Sequence, residues 1–258
     1  MSVSAFVPAP GAAPMGRMVL AQAGMELRTL LRNGEQLLLT LIIPVLLLVG
    51  ASLAPVLDLG TERRVDFIAP GVLALAVMST AFTGQAIGTG FERRYGVLKR
   101  LGTTPLSRFG LIAAKTVSVI AIELLQLAVL WAVALGLGWR PQGGPAGAVA
   151  VVLLIVAGTA AFSALGLLMA GTLRAEATLA AANLVYLLLL LVGGVFFPLS
   201  AFPEALRPAL ELLPISALSG GLRAVLEHGA APPLAALGVL LAWAVLATAA
   251  AARFFRWE

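Results

Sequence analysis

Glu123 is the residue of this 258-residue chain whose type and setting most invite chemistry, because it is the one charge in the apolar run from Thr116 to Trp139. A carboxylate in hydrocarbon costs at least ~2.5 kcal/mol, so by default it marks function. Two roles are open to it. It can sit on a pathway, carrying a proton or recognising a cationic group, with Gln126 three residues on along the same helical face; or it can be a protonated or hydrogen-bonded carboxyl that locks helices together. Ser79, Thr80 and Thr83, and Asn183 with Tyr186, show the same three- and four-residue spacing in other apolar runs. Polar residues so spaced join helices more often than they bind ligands. Nucleophilic and metal-assisted catalysis lack their parts, since the chain has no cysteine and a single histidine, His228.

The second concentration of reactive side chains is electrostatic. Glu92, Arg93, Arg94, Lys99, Arg100, Arg108 and Lys115 crowd one stretch between two long apolar runs. This marks a segment held at the cytoplasmic membrane surface, within reach of a soluble partner. Phe91, Tyr95, Leu98 and Leu101 recur at helical intervals while the charges fall elsewhere on the wheel, which predicts a short amphipathic helix lying in the interface. Gly102-Thr103-Thr104-Pro105 ends it. Taken alone, the pattern also suits cations that set topology and touch anionic lipid headgroups at ~1 kcal/mol each.

The elements that must position these groups are apolar helices. With 60% hydrophobic residues, 11% charged residues and a mean hydropathy of +1.02, the chain reads as an all-α membrane protein with no room for a soluble catalytic domain. Six transmembrane helices are expected near 36–57, 67–90, 116–138, 146–172, 177–197 and 230–252. They form one transmembrane domain over 16–258, preceded by a disordered tail over 1–15 that holds Pro8, Pro10 and Pro14 and lacks the basic start of a signal peptide. Residues 16–35 mix Met18, Leu20, Met25, Leu27, Leu30 and Leu31 with Arg17, Glu26, Arg28 and Arg32, which predicts an N-terminal amphipathic helix on the membrane surface.

Counting Lys and Arg on the two sides of six spans puts 12 of the 17 with both termini and the basic loop. The termini are therefore expected in the cytoplasm, with the chain a multi-pass protein of a bacterial plasma membrane. Topology accounts for the formal charge of +5, and no nucleic-acid partner is implied. The connection before the last span, from Phe197 to Leu222, is too apolar for a solvated loop and is chopped by Pro198, Pro203, Pro208 and Pro214. A re-entrant external hairpin fits, since irregular backbone at membrane depth is tolerated against protein or a water-filled cavity.

Glu92, Arg93, Gly96, Leu98, Leu101, Thr104, Pro105, Ser107 and Arg108 follow the order E-R-x-x-G-x-L-x-x-L-x-x-T-P-x-S-R, with Lys115 beyond. Gly193-Gly194-Val195-Phe196-Phe197-Pro198-Leu199 precedes the last span, followed by Leu212-Leu213-Pro214 and Gly221-Leu222-Arg223. In these two motifs the chain resembles an ABC-2 type permease, the membrane subunit of bacterial ABC exporters, over nearly its whole length. The resemblance implies a cytoplasmic coupling helix, with Glu92, Arg93, Arg94, Gly96, Leu98, Lys99, Arg100, Thr104 and Pro105 at the contact with a separate ATPase subunit. That subunit would bind ATP and magnesium. The resemblance further implies a second permease copy, identical or related, and contact with membrane lipid. A substrate pathway would draw on Glu123, Gln126, Ser79, Thr83, Asn183, Tyr186, Phe196 and Phe197, whose mixture of hydroxyl, amide and aromatic groups suits a lipophilic or amphipathic compound.

The chain itself has no phosphate-cradling G-x-x-x-x-G-K-[ST] loop, since neither Lys99 nor Lys115 follows a glycine. It is not expected to be an enzyme. Two other functions compete with ATP-driven export: a secondary transporter that moves protons through Glu123, and a non-transporting membrane scaffold or immunity protein. The first normally needs paired intramembrane charges and internal repeats, of which one acid and no clear repeat are present.

Overall fold

The structure is a computed structural model that describes residues 11–32, 34–53 and 63–254, and the described elements are helical throughout. The first ten residues of the expected tail, and the end of the first expected span, lie outside the described residues. Helix α1 (Met15–Arg32) covers the stretch read as an N-terminal amphipathic helix. It turns Gln22 and Ala23 inward and leaves Leu20, Met25 and Leu31 exposed beside Arg17, Arg28 and Arg32, the mixed surface of a helix lying in an interface. Its inner face packs along α6 (Arg108–Gly136).

Among the described residues, five helical runs are long and apolar enough to cross a bilayer: Arg64–Arg94, Phe109–Gly136, Gly144–Thr172, Ala175–Val192 and Leu234–Phe254. A sixth apolar helix, α2 (Gly34–Leu53), corresponds to the first expected span, but its apolar part among the described residues, Thr40–Leu53, is shorter than a full crossing. Length and hydropathy therefore support five spans, and the expected count of six rests on α2.

The run from Arg64 to Arg94 is the centre of the bundle. It consists of α3 (Arg64–Met78), one π-helical turn (Ser79–Gly84) and α4 (Gln85–Arg94), with α2, α6, α7 (Gly144–Thr172) and α8 (Ala175–Val192) around it. A π turn carries an extra residue and pushes its carbonyls outward. Gly166 of α7 accepts that bulge: a Cβ there would stand 2.7 Å from the Phe82 carbonyl oxygen.

The expected interfacial helix from Phe91 to Leu101 is two pieces. Helix α4 carries the central span to Arg94, the chain turns at Tyr95 and Gly96, and α5 (Val97–Leu101) follows. Gly96 makes the break at φ +72°, a left-handed conformation that costs a residue with a Cβ and glycine nothing. Helix α6 then starts at Arg108, eight residues before the expected boundary. The Ser107 hydroxyl caps it by accepting from the Gly110 amide at 3.0 Å.

Beyond α8 the chain passes Gly193 and Gly194, a 3-10 turn at Leu199–Ala201, and α9 (Arg207–Glu211) before α10 (Pro214–Leu226). Eleven of the 13 residues of α10 are buried, against α3, α7 and the last helix, α11 (Leu234–Phe254). Leu218 meets α7 at Gly158 and Val225 meets it at Gly147, so α10 runs antiparallel to α7. Its 13 residues reach ~20 Å into the bundle from the end that carries Gly144. The α10 part of the segment before the last span is thus packed among the spans, while most of the stretch from Phe197 to Leu212 is exposed.

Candidate functional site

At the end of the bundle that carries Arg94, three charges from three helices converge. Lys115 of α6 places its Nζ 2.7 Å from a Glu92 carboxylate oxygen and 3.2 Å from one of Glu26 on α1. Gln22 donates to Glu26 at 2.9 Å, and the Ser118 hydroxyl donates to its other oxygen at 3.3 Å. The Lys115 side chain is 4% exposed. An ammonium so buried is held by its two carboxylates, which is why α6 continues as helix through a lysine that otherwise belongs at a surface.

The residues after Glu92 fasten the same helix end elsewhere. Arg93 donates through Nη1 to the Ala170 carbonyl at 3.0 Å and through Nη2 to that of Leu173, capping the last turn of α7. Arg94 pairs with Glu176 in the first turn of α8. Three consecutive side chains of the expected coupling segment therefore tie the central span to α1 and α6, to α7, and to α8. Most of the rest of that segment faces out, with Leu98 as its anchor. Leu98 is fully buried in a small cluster with Leu106 and Leu111, against Met18 and Val19 of α1. This anchors α5, and around it Tyr95, Val97, Lys99, Arg100, Thr103, Thr104 and Pro105 are exposed.

The intramembrane polar residues divide. Glu123 is 1% exposed and enclosed within this single chain, where the Thr159 hydroxyl of α7 donates to its Oε2 while Oε1 has no protein partner. Gln126 accepts from the Thr80 hydroxyl at 2.9 Å and donates to the Thr40 carbonyl at 2.8 Å, joining α6 to the π turn and to α2. One turn along α7 from Thr159, Ser163 donates to Gln85 at 2.6 Å and lies 2.9 Å from the Thr116 hydroxyl. These contacts knit α2, the central span, α6 and α7 together at sites where unpaired polar groups would face hydrocarbon. Ser79 and Thr83 are half-buried on the π turn.

Asn183 stands apart from this ladder on an exposed face of α8, bonded to its own helix at the Leu179 carbonyl. Tyr186 and Phe196 pack at the edge of the core, and Phe197 is exposed. The structure therefore does not gather the expected pathway residues into one site. Thr159, Ser163 and Gln85 escaped sequence reading, and Glu26 was read only as a charge of the amphipathic helix, because each is unremarkable until its partner helix is known. The i,i+4 pair Thr159 and Ser163 was the one available signal.

Arg223, one of the five cations that the charge count puts on the side away from the termini, is buried in α10. Its guanidinium donates to the carbonyls of Phe67 at 3.2 Å, Val195 at 2.6 Å and Gly194, and lies 3.8 Å over the Phe67 ring. A planar fork of donors suits three carbonyls at once and needs no carboxylate. It pins the hairpin to the start of α3 and to the turn after α8, where Gly71 leaves room: a Cβ there would meet the Val195 oxygen at 2.4 Å.

A polytopic helical bundle with a buried hairpin before its last helix and a charged, outward-facing turn after its central span defines the class. Residues 19–226 match the ABC-2 type transporter family, and the chain belongs to that family. It is 32% identical over 200 residues to the linearmycin resistance permease protein LnrN of Bacillus subtilis, covering 73% of this chain and 49% of that protein. It is 29% identical over 176 residues to the daunorubicin resistance ABC transporter permease protein DrrB1 of Streptomyces coeruleorubidus, covering 66% of this chain and 60% of that one. The chain thus matches about half the length of the first relative and three-fifths of the second.

Proposed function

We propose that this chain is the membrane-spanning permease subunit of an ATP-driven exporter that moves a lipophilic or amphipathic compound out of the cytoplasm or inner leaflet of a bacterial plasma membrane. A separate cytoplasmic ATPase, which binds ATP and magnesium, docks on the turn from Tyr95 to Pro105, and a second permease copy completes the pathway. The observation that carries this reading is the seating of α5: Leu98 fixes it beneath α1 while its basic face points outward. A push on α5 reaches α1 through Leu98, and the central span through the short Tyr95-Gly96 turn. The ties of Glu92, Arg93 and Arg94 then pass it to α6, α7 and α8, so that docking biases one rigid arrangement of spans over another. The relatives' names speak of resistance to linearmycin and daunorubicin, which supports a resistance role here.

The test is co-purification of the tagged chain from native membranes together with its ATPase. Tyr95→Ala combined with Arg100→Glu is expected to remove the ATPase from the eluate and abolish ATP-dependent transport while the permease keeps its melting temperature. An eluate of the parent chain without any ATPase, combined with transport that follows an imposed proton gradient, would replace this reading with secondary transport through Glu123.

A further inference from the structure

An open-sided chamber of about 390 Å³ lies between α7, α8 and α11, bounded at one end by Leu213 and Pro214 at the tip of the hairpin. Phe82 and Phe162 form its inner wall, and Val185, Leu189 and Trp243 flank it. Only Thr172 and Trp243 among its lining residues carry a side-chain hydroxyl or N–H. Both are already satisfied, Thr172 by the Leu168 and Met169 carbonyls and the Trp243 indole N–H by the Leu212 carbonyl at 2.8 Å. A buried water needs two to four polar partners, and this space offers none. Apolar cavities of about 150 Å³ already take up benzene in preference to water, and this one is more than twice that size.

Its shape and its mouth identify the occupant. The lining runs along α7 from Phe162 to Thr172, ten residues or ~15 Å parallel to the helix axis. Helices α8 and α11 both contribute walls yet share no substantial packing, so the chamber opens between them. The same two helices also carry exposed apolar residues, Leu184 and Leu188 on α8 and Leu241 and Val245 on α11. We infer that the chamber is a binding site for one hydrocarbon chain, which enters sideways from the bilayer and lies along α7 beneath the hairpin tip. The chain gains dispersion contacts with Phe82, Phe162 and Trp243 that the empty walls lack. The site stands whether or not an ATPase drives this chain. Two sources supply the same chemistry: an acyl chain of a membrane lipid, or the alkyl part of an added amphiphile.

The experiment uses the full chain in two kinds of bilayer. One is built from phosphatidylcholine with a diazirine midway along an acyl chain. The other is ordinary phosphatidylcholine to which a diazirine-bearing alkyl amine is added. After irradiation, labelled peptides are mapped. Labelling of Met169 and Val185 is expected, in the first bilayer if membrane lipid fills the chamber and in the second alone if a free amphiphile does. Leu168→Phe and, separately, Met169→Phe fill the space. In each, labelling of Val185 should fall about tenfold, as expected when the burial of roughly two methylenes is displaced, while labelling of lipid-facing Leu188 stays constant. The inference is overturned by labels confined to Leu184 and Leu188, which would be ordinary surrounding lipid. It is equally overturned by labelling of Val185 that neither filling variant reduces, or by a second copy of the chain that shields the mouth from both probes.

Discussion

Glu92 and Lys115 stand 23 positions apart in the chain and 2.7 Å apart in space, at the end of the bundle where the basic loop meets the spans. Glu26 of α1 completes the contact from the other side. The surface helix, the central span and α6 therefore share one buried ammonium, and movement of any one of them disturbs the other two.

Replacing Lys115 with Met leaves two carboxylates facing one another around an apolar side chain. The expected cost is about 3 kcal/mol, the scale for removing one partner of a buried pair. Thermal unfolding followed by size-exclusion chromatography should show a melting temperature lower by several degrees, with Glu92→Gln less affected because the amide keeps a hydrogen bond to Lys115. Equal melting temperatures for Lys115→Met and the parent would show that the triad does not hold these helices.

Arg223→Lys preserves charge and loses the fork. A single ammonium cannot serve the Phe67, Gly194 and Val195 carbonyls together, and each orphaned group costs about 1–3 kcal/mol. The hairpin should loosen. With Ser219→Cys as the reporter in this cysteine-free chain, an impermeant thiol reagent should label the parent background slowly and the Arg223→Lys background at least several-fold faster. Identical rates would mean that α10 is held by its apolar packing alone.

For Glu123 the decisive comparison is Gln against Leu. Gln retains an acceptor for the Thr159 hydroxyl and removes only the ionisable group, so assembly should be little changed. Leu removes the bond as well, at about 0.6 to 1.7 kcal/mol for an interhelical hydrogen bond in a membrane. A stability loss for Leu alone assigns Glu123 to helix assembly. If transport falls in Gln while stability holds, the ionisable group itself is in use.

Two glycines of similar appearance should answer oppositely to alanine. Gly166 touches the π turn, where a Cβ would lie 2.7 Å from the Phe82 oxygen, so Gly166→Ala should destabilise by about 1–3 kcal/mol. Gly88 faces open space inside a helix, so Gly88→Ala should be neutral or stabilising by up to about 1 kcal/mol. Both are read from the same melting curves, and matching shifts would contradict the close approach at the π turn.

Helical content, the membrane class and the five long apolar runs were legible in the sequence, as were the amphipathic first helix and the unusual segment before the last span. Boundaries moved where charge was neutralised by a distant partner. Helix α4 continues through Glu92, Arg93 and Arg94, and α6 begins before Lys115, because ion pairs and carbonyl caps remove the penalty that had marked those residues as loop. Spacing also suggested one helix from Phe91 to Leu101, since apolar periodicity does not register a backbone reversal at a single glycine.

What this sequence determined by itself follows from local properties: runs of apolar residues long enough to cross hydrocarbon, cations gathered in a few connections, and two motifs in family order. What only the tertiary structure decided depends on which helix faces lie against each other. Which helix encloses Glu123 is set by the meeting of α6 with α7 at Thr159. The depth of the hairpin, the burial of Arg223 and the chamber below Leu213 have the same origin. Each is set by contacts between segments far apart in the chain, where the local pattern of hydrophobic and polar residues carries no information about partners.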